Sequence, residues 1–288
     1  MASSPANHGV PADRHSIWGI HALWEALQGD LPDLSIEVVD RLDSTNGALM
    51  DRLRQLTQAA QGRPLRASDL APSLLVAVQQ THGRGRLGRS WESLPGASLT
   101  FSLSLPIARP DWSGLSLAVG LAVATALDPA GTQLGLKWPN DLWRLDAPGQ
   151  GRKLGGILIE GMQVADRRMA VIGIGLNILP LTMPEQVASL SEFLPGLDAP
   201  QVLAQVMPKL ARVLTRFERE GFGGLASAYA ARDLLRGHTV TTTDPEAGTL
   251  DVRLRTGEIV RLAPKAIEGP RAKARPAELL RSRVHQDL

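Results

Sequence analysis

The chain contains no cysteine among its 288 residues. This absence excludes a disulfide framework, thiolate metal sites and cysteine nucleophiles. The six histidines are scattered and show no HExxH-type spacing, so a structural zinc site is not expected. Long apolar runs are also missing. The longest, residues 115–127, is interrupted by Ser116 and Gly120 and is too short to span a bilayer.

The first dozen residues, MASSPANHGVPA, lack the apolar segment of a signal peptide, so a cytoplasmic protein without membrane contact is expected. Neither sign of charge dominates, because 31 basic residues stand against 29 acidic ones. The resulting formal charge of +2 does not imply binding to bulk nucleic acid. With 43% hydrophobic residues, the chain can form one large domain with an appendage.

Apolar periodicity divides the chain into three regions. Residues 1–14 are small, polar and proline-containing, and disorder is expected there. Residues 15–235 mix helix and strand patterns without a regular βαβ rhythm, which favours an α+β domain built on a mixed or antiparallel sheet flanked by helices. Residues 236–288, beyond a boundary at Gly237, contain short strand patterns and a turn at Thr256-Gly257, as in a small β domain.

Several elements can be placed within the larger domain. An amphipathic helix is expected over residues 17–27, with Ile17 and Trp24 on its apolar side. SLTFSLSL, residues 98–105, alternates strictly and predicts a strand with one buried face. Further strands are predicted at residues 35–42, 74–78, 134–138, 154–164 and 169–178, helices at 115–127 and within 184–235, and a loop at 146–152.

The stretch from Gln79 to Trp91, QQTHGRGRLGRSW, concentrates glycine and arginine directly after a predicted strand. Glycines let the backbone approach a ligand, and arginines supply fixed charge, so the stretch suits an anion. It is neither the dinucleotide fingerprint nor a Walker A loop, because no Lys-Ser/Thr closes it. Taken alone, it is also compatible with a solvated basic loop or a nucleic-acid contact.

Two further stretches carry polar groups at predicted strand ends. KWPND, residues 137–141, and KLGGILIE, residues 153–160, bring two lysines and an aspartate near the arginine loop, which suits a nucleoside triphosphate with magnesium. A salt-bridged pair of strands explains the same residues equally well. DSTN, residues 43–46, provides N-caps for a helix reaching about Ala60, and such a turn either caps the helix or also binds a ligand.

These motifs occur together and in a recognisable order. With GIGLN at residues 173–177, they closely resemble the motifs of the biotin protein ligases over roughly residues 36–180, and weakly to 262. The resemblance implies a catalytic domain of the class II aminoacyl-tRNA synthetase/biotin ligase type at residues 15–235. It also implies a small, degenerate SH3-like domain at residues 236–288.

The resemblance further implies a two-step reaction. The carboxylate of biotin, a substrate, attacks ATP in the presence of Mg²⁺ to form biotinyl-5′-AMP. A lysine of a biotin carboxyl carrier protein, of the acetyl-CoA carboxylase type, then accepts the biotin. For the biotin pocket, the resemblance implies Ser44, Thr45, Asn46 and Gln80. For catalysis and anion binding, it implies Arg84, Gly85, Arg86 and Lys153. For the nucleotide, it implies Trp91, Asn140, Asp141, Gly173, Gly175 and Asn177, and Asp141 is also the implied Mg²⁺ ligand.

Some alternatives stay open. Leu87 stands where the family often has a third arginine, and the C-terminal region lacks the glycine-rich turn of an SH3-like domain. Trp91 is as compatible with a core role as with stacking on adenine. A lipoate or octanoate ligase or transferase is the nearest rival. A biotin-responsive repressor is less favoured because the segment before Ile36 is short for a helix-turn-helix, so no DNA contact is expected. A homodimer is neither indicated nor excluded.

Overall fold

A seven-stranded sheet organises the structure, a computed structural model that describes residues 14–60, 65–147, 150–181, 187–236, 239–244, 249–253 and 259–262. Its strands and a small hairpin are β1 (Ser35–Leu42), β2 (Ser73–Gln80), β3 (Gly83–Arg84), β4 (Ser90–Trp91), β5 (Ser98–Pro106), β6 (Leu134–Lys137), β7 (Asp141–Ala147), β8 (Gln150–Val164) and β9 (Arg167–Asn177). The helices are α1 (Arg14–Ile17), α2 (Ile20–Leu27), α3 (Thr45–Ala59), α4 (Leu115–Leu127), α5 (Ala199–Glu220) and α6 (Ala226–Ala230).

The strands of the sheet follow the order β1-β2-β5-β9-β8-β7-β6, and β3 pairs with β4 in a separate hairpin. β1 and β2 run parallel and are joined through α3, whereas each of the other neighbouring pairs is antiparallel. Parallel neighbours need a crossover connection of this kind, while antiparallel neighbours can be joined by short turns. The expected α+β fold with a mixed sheet and flanking helices is therefore confirmed.

The two faces of the sheet are covered differently. On one face α2, α4 and α5 bury the alternate residues Leu99, Phe101 and Leu103 of β5, and α5 buries the same apolar side that its sequence pattern predicts. On the other face α3 packs on Leu75 and Val171. Because α3 covers only part of that second face, small residues of β5, β8 and β9 are left to form the floor of a site.

Burial of β5 on both faces corrects the sequence-based expectation. Ser98, Thr100, Ser102 and Ser104 were expected on an exposed face, yet all four are buried. Buried hydroxyls are tolerated when they are hydrogen-bonded, and the Thr100 hydroxyl donates to the Ala77 carbonyl oxygen at 3.0 Å. The alternation identified the strand correctly but not its central position in the sheet.

Two other local expectations are wrong. The predicted loop at 146–152 belongs largely to the antiparallel pair of β7 and β8, and β7 was not among the predicted strands. The predicted helix at 17–27 is interrupted at Gly19, whose φ of 57° is left-handed and ends a right-handed helix. Ile17 and Trp24, both expected on the apolar side, remain 57% and 40% exposed instead of joining the core.

A short segment after α6 closes the β6 edge of the sheet. The Leu136 N–H donates to the Arg232 carbonyl oxygen at 2.8 Å, and the Leu136 carbonyl accepts from the Leu234 N–H at 3.1 Å. The Arg232 guanidinium also pairs with the buried carboxylate of Asp128 at 3.2 Å. Backbone pairing and a buried ion pair thus fix this segment to the strand that precedes the KWPND motif.

The C-terminal strands β10 (Thr239–Asp244), β11 (Thr249–Arg253) and β12 (Ile259–Leu262) form an antiparallel sheet of their own. These strands lie where the sequence placed them. The boundary at Gly237, the turn at Thr256-Gly257 and residues 1–13 lie outside the described residues. In the described part of the chain, no helix has the length and apolar character needed to cross a bilayer.

Candidate functional site

The floor of the site is a row of small residues that lie opposite one another in register. Thr100 of β5 pairs with Gly175 of β9, Gly175 with Gly156 of β8, and Gly156 with Asp141 of β7. Directly opposed residues share a face of the sheet. The row therefore lies on the face that α4 and α5 do not cover. Because Gly175 and Gly156 have no side chains, there is room above the middle of the row.

Neighbouring side chains fill part of this room. A Cβ atom on Gly173 would lie 2.2 Å from Asn46 Oδ1, and one on Gly175 would lie 2.4 Å from Trp91 Cε2. At Gly156 the nearest atoms, Cε and Nζ of Lys153, would be 3.6 Å away. Gly173 and Gly175 are thus required by close contacts, whereas Gly156 borders open space and a flexible lysine.

The DSTN turn forms the N-terminus of α3 at one end of this floor. The Ser44 hydroxyl caps the helix by accepting from the Gly47 N–H at 3.2 Å. Gln80 Oε1 accepts from the Thr45 N–H at 2.7 Å and lies 3.1 Å from Thr45 Oγ1. The turn therefore both caps the helix and fixes the amide of Gln80, and of the two interpretations left open by the sequence the capping role is observed.

Ser102 joins this group, although sequence reasoning did not single it out. Its Oγ lies 2.6 Å from Thr45 Oγ1 and 2.6 Å from Asn46 Oδ1. A serine hydroxyl has one proton, and an amide oxygen can only accept. The Ser102 hydroxyl is placed to donate to either oxygen, and its single proton serves one of them at a time. The hydroxyls at 98, 100, 102 and 104, all on one face of β5, were the available signal.

Glu160 links the buried amide of Asn46 to the arginine loop. Asn46 Nδ2 donates to Glu160 Oε2 at 3.0 Å and to the Leu158 carbonyl oxygen at 3.3 Å. The other oxygen of Glu160 lies 3.5 Å from Arg84 Nη2. Both polar ends of the Asn46 side chain are thus engaged by protein, and Arg84 has a carboxylate partner before any ligand arrives. Glu160 was part of a quoted motif but had no role in the prediction.

The arginine loop is the β3–β4 hairpin with a short 3-10 turn, and it lines a cleft of about 640 Å³ together with Arg41 and the end of β2. Of its three glycines, only Gly88 has a positive φ, at 74°. Gly83 is required because a Cβ would lie 2.2 Å from the Trp91 carbonyl oxygen. Leu87, 62% exposed, is itself left-handed at φ 59°. Close approach, more than backbone freedom, explains the glycines.

The start of the loop is anchored to the DSTN turn. Asp43 accepts a hydrogen bond from the Thr81 hydroxyl at 2.5 Å and lies 3.0 Å from Nδ1 of the exposed His82. The hydrogen bond from Thr81, followed by the contact with His82, holds the pKa of Asp43 below its usual value because both favour the carboxylate. The histidine next to the glycine loop therefore contacts a neighbouring carboxylate on the surface.

The KWPND and KLGGILIE motifs meet at the other end of the floor. Lys153 Nζ lies 2.7 Å from Asp141 Oδ1. Asn140 binds the Ile157 carbonyl oxygen through Nδ2 at 2.9 Å, and its Oδ1 lies 3.4 Å from Arg86 Nη1. The structure thus brings Arg86, Asn140, Asp141 and Lys153 together. The salt-bridged strand pair that the sequence offered as an alternative is present and forms part of the same cluster.

Two predicted nucleotide contacts are engaged with the protein itself. Asn177, only 3% exposed, donates through Nδ2 to the Ala188 carbonyl oxygen at 3.0 Å. The Trp91 ring rests against Gly175, and its buried Nε1 has no hydrogen-bond acceptor among the described residues. Trp91 therefore combines a packing contact with an unused donor at the floor of the site.

The chain is similar to a known protein family and to individual known proteins. The model of the biotin/lipoate A/B protein ligase family matches residues 40–177. A relative from Mycobacterium tuberculosis, named biotin--[acetyl-CoA-carboxylase] ligase, is 32% identical over 222 residues, which are 73% of this chain and 75% of the relative. Bifunctional ligase/repressor BirA of Salmonella typhimurium is 33% identical over 218 residues, 73% of this chain. That match spans 62% of the length of the Salmonella protein.

A solved structure shares the fold. The biotin protein ligase from Aquifex aeolicus, in complex with biotin and ATP, superposes with a TM-score of 0.54 at 25% identity. The superposition covers 80% of this chain and 96% of the Aquifex chain. The structural similarity therefore extends over nearly the whole Aquifex chain and is not confined to the family motifs.

Proposed function

Because the chain belongs to the biotin protein ligases of the biotin/lipoate A/B protein ligase family, we propose that it forms biotinyl-5′-AMP from biotin and ATP and transfers the biotin to a lysine of a biotin carboxyl carrier protein. The observation that carries this proposal is the arrangement on one sheet face of a neutral hydrogen-bonding pocket beside a cluster of cations. A neutral ring with a carboxylate tail, joined to a nucleotide, matches that arrangement.

The neutral end of the pocket would hold the ureido ring of biotin. Thr45 and Gln80 are fixed by their mutual hydrogen bonds, so their remaining donors and acceptors are preorganised. The amide nitrogen of Gln80 lies at the mouth of the hairpin, where it would be 3.1 Å from a Cβ on Gly83. Ser44 caps the helix, and Asn46 is held by Ser102 and Glu160. These contacts fix the helix start that would form one wall of the pocket.

The cationic end would hold the two reacting anions. A carboxylate oxygen of biotin attacks the α-phosphorus, the bond to the bridging oxygen breaks, and pyrophosphate leaves with that electron pair. Arg84, Arg86 and Lys153 would offset the repulsion between the reactants and stabilise the charge of the transition state. In the second step the lysine amine of the carrier attacks the carbonyl carbon, AMP leaves, and the amine loses a proton.

Ion pairs already present shape this chemistry. Glu160 holds Arg84, and Asp141 holds Lys153, so both cations are positioned before the ligand binds. Lys153 would act through its charge, as an electrophilic stabiliser rather than a base. The Gly85 backbone between the two arginines would close toward the same anion. Trp91, Gly173, Gly175 and Asn177 would border the adenylate, and Asn140 would contact the nucleotide.

Magnesium is part of the proposal through Asp141. No group of three or more metal-binding side chains occurs within the described ranges. Mg²⁺ on nucleotides is usually held by one or two carboxylates together with phosphate oxygens and water, and a single carboxylate beside the nucleotide fits that pattern. The ion would neutralise phosphate charge when bound, and Asp141 would share its oxygens between the ion and Lys153.

The finer assignments are proposals as well. We place the catalytic domain at residues 15–235 and an SH3-like domain at 236–288, the latter supported by three antiparallel strands. A cytoplasmic location and a carrier of the acetyl-CoA carboxylase type complete the proposal. The name of the Mycobacterium relative supports the carrier.

The test is transfer of labelled biotin to a carrier domain in the presence of ATP and magnesium. Parallel reactions contain labelled lipoate with a lipoyl domain, or a carrier whose acceptor lysine is replaced by arginine. We expect label on the biotin carrier only, and adenylate without transfer for the arginine carrier. Transfer of lipoate without transfer of biotin would replace the proposal by a lipoate ligase.

A further inference from the structure

Lys153 lies at a β-bulge, a point where one strand carries an extra residue relative to its partner. On β8, Gly155 pairs with Leu142 of β7, but Lys153 pairs with the next residue along β7, Trp143. One residue of β8 is therefore left over between the two pairs, and a bulge of this kind re-aims the neighbouring side chains. Because Trp143 lies two residues after Asp141, the bulge places Lys153 on the same face of the sheet as Asp141.

The position of the bulge decides where the Lys153 ammonium lies. Side chains alternate between the two faces of a strand, so a shift of one residue would turn Lys153 away from the site and toward the face covered by helices. The ion pair with Asp141 is too weak to prevent such a shift by itself, because both side chains are partly exposed and water screens their charges. Other contacts must therefore hold this part of β8 in place.

Arg152 is the residue next to Lys153, and it lies on the opposite face of the sheet, where it pairs in register with Arg144 of β7. Its guanidinium binds two carboxylates from different parts of the chain. Nε and Nη2 donate to the two oxygens of Asp146 on β7 at 2.9 and 2.7 Å. Nη1 and Nη2 donate to the two oxygens of Glu192 at 3.2 and 2.6 Å. Such two-bonded arginine–carboxylate pairs fix geometry more strictly than single contacts do.

The two carboxylates also offset a repulsion between arginines. Arg152 lies directly opposite Arg144, and like charges at such positions destabilise a strand pair. Hydrogen bonds from Arg152 hold the pKa of Asp146 and the pKa of Glu192 below their usual values, so both partners are ionised at neutral pH. The guanidinium carbon of Arg144 lies 5.3 Å from the ring centroid of Phe193, the residue after Glu192. Both arginines therefore bind the same short turn.

Glu192 is also connected to the backbone of Lys153. Its Oε1 accepts from the Ser189 N–H at 2.8 Å. The preceding residue, Ala188, donates its N–H to the Lys153 carbonyl oxygen at 2.8 Å, and its own carbonyl accepts from Asn177 Nδ2 at 3.0 Å. The pairing of β8 with β9 has ended at this point, so this segment takes the place of β9 beside Lys153.

We propose that Arg152 is a positioning residue that holds the bulge in register and thereby keeps the Lys153 ammonium on the face where the adenylate would form. This inference rests on the proposed function and adds a residue to it. Arg152 lies on the other face of the sheet, so it acts through the backbone of β8 and not by touching the reactants. Asp146 fixes β8 from the side of β7, and Glu192 fixes it from the side of the segment that replaces β9. Since a small displacement of a catalytic group slows a reaction strongly, the rate should depend on Arg152 more than the affinity for biotin does.

The test compares Arg152→Gln with Arg216→Gln, a matched control in which the arginine also binds a carboxylate but lies on α5. Single-turnover formation of biotinyl-5′-adenylate is measured at saturating biotin and magnesium ATP, together with the Kd for biotin. We expect Arg152→Gln to slow adenylate formation by about tenfold to a hundredfold, while the Kd for biotin changes by less than about threefold. Arg216→Gln should match wild type. A wild-type rate in Arg152→Gln would overturn the inference.

Glu192→Gln provides a second variant, which removes one of the two ion pairs and keeps the other. It should show a smaller loss of rate of the same kind, so the inference remains testable where Arg152→Gln does not fold. A wild-type rate in Glu192→Gln together with a folding failure of Arg152→Gln would show that Arg152 serves stability alone.

A double-mutant cycle with Lys153→Ala separates positioning from general stabilisation. If Arg152 acts through Lys153, then Arg152→Gln should slow adenylate formation by less than about threefold in the Lys153→Ala background. The same fold-loss in both backgrounds would show that Arg152 supports the fold as a whole, and it would overturn the inference.

A labelling experiment tests the position of residue 153 without relying on catalysis. The chain contains no cysteine, so Lys153→Cys introduces a single thiol on the site face. Adding Arg152→Gln should lower the rate at which a maleimide labels this thiol by about threefold or more, because a shifted strand turns it toward the buried face. An equal or faster rate would overturn the inference. Slower labelling, in a protein whose wild type forms no biotinyl-5′-adenylate, would instead refute the proposed function alone.

Discussion

Lys153 Nζ and Asp141 Oδ1 lie 2.7 Å apart on neighbouring strands of the sheet. The pair holds the ammonium over Gly156, where a Cβ would lie 3.6 Å from Nζ. The two side chains are 35% and 22% exposed, so water screens the pair and its contribution to stability is less than about 1 kcal/mol. The role of the ion pair is to hold the Lys153 ammonium where a phosphate group can approach it.

Replacing Lys153 by alanine tests that role. We expect adenylate formation to fall by about a hundredfold to a thousandfold, because one preorganised charge is lost from the transition state. The melting temperature should change by only a few degrees, since the ion pair is weak. Single-turnover formation of labelled adenylate measures the first effect and calorimetry the second. Near-normal adenylate formation would remove Lys153 from the catalytic group.

Replacing Ser102 by alanine tests the network behind the proposed biotin pocket. The change removes the donor to Asn46 Oδ1 and leaves buried polar atoms unpaired, which costs about 1–3 kcal/mol. We expect the KM for biotin to rise several-fold while the KM for ATP stays unchanged. Ser104→Ala, at a buried position on the same face of β5, is the control. Equal effects of the two variants would show that the network has no specific role.

Gly173 and Gly156 provide a matched pair for the site floor. Gly173→Ala would force a Cβ against Asn46 Oδ1, whose side chain is held by three hydrogen bonds. Overpacking of this kind costs about 1–3 kcal/mol, and weaker biotin binding should accompany it. In Gly156→Ala the new Cβ meets no atom closer than 3.6 Å, so the free energy of unfolding should lie within about 1 kcal/mol of the wild-type value. Urea unfolding measures the loss of stability in both variants, and biotin titration measures the change in biotin affinity.

Replacing Arg86 by glycine tests retention of the intermediate. Arg86 contacts Asn140 at the nucleotide end and would close over the phosphate of the adenylate. Loss of this charge-assisted contact should raise the dissociation rate of biotinyl-5′-AMP by about tenfold or more. Free adenylate should then appear in the filtrate of a reaction without carrier. A dissociation rate equal to that of wild type would contradict a clamp role for the loop.

The buried pair of Asp128 and Arg232 predicts a pH-dependent stability. Burial raises the pKa of Asp128, but backbone hydrogen bonds from Gln133 and Leu134 and the charge of Arg232 outweigh it, so the pKa lies below 3.8. A folded-state pKa below the unfolded one gives stability that is present above pH 3.8 and lost as the pH falls through the lower value.

We therefore expect the free energy of unfolding of Asp128→Asn at pH 7 to be about 3 kcal/mol lower than that of wild type. The difference from wild type should stay constant down to about pH 5 and shrink below pH 3.8. Urea unfolding of both proteins between pH 7 and pH 3 measures it. A difference that is unchanged at pH 3 would show that packing, not the carboxylate charge, is responsible.

Local patterns predicted most elements because their causes are local. The N-cap of α3 at Ser44 and the apolar side of α5 depend on neighbouring residues, and both could be predicted from the sequence. The break at Gly19 was missed because an isolated glycine is often tolerated in a helix pattern. β7 was missed because its alternation is weak and it is polar near its end.

The site was predictable as a set of motifs but not as a network. Ser102 binds Asn46 across 56 residues of sequence, and Glu160 binds it across 114. Such contacts arise from strand register, which single-sequence patterns do not specify. For the same reason, the sequence could place the arginines and glycines of the loop but not the carboxylate that holds Arg84.

The segment at 232–236 defines where the protein can be shortened. A chain that ends after Arg236 keeps the buried partner of Asp128 and the backbone pairing that covers β6. A chain that ends before Arg232 leaves a buried carboxylate unpaired and an open strand edge two strands from Lys153. Exposed edges promote aggregation, so only the first truncation should yield a monodisperse catalytic domain.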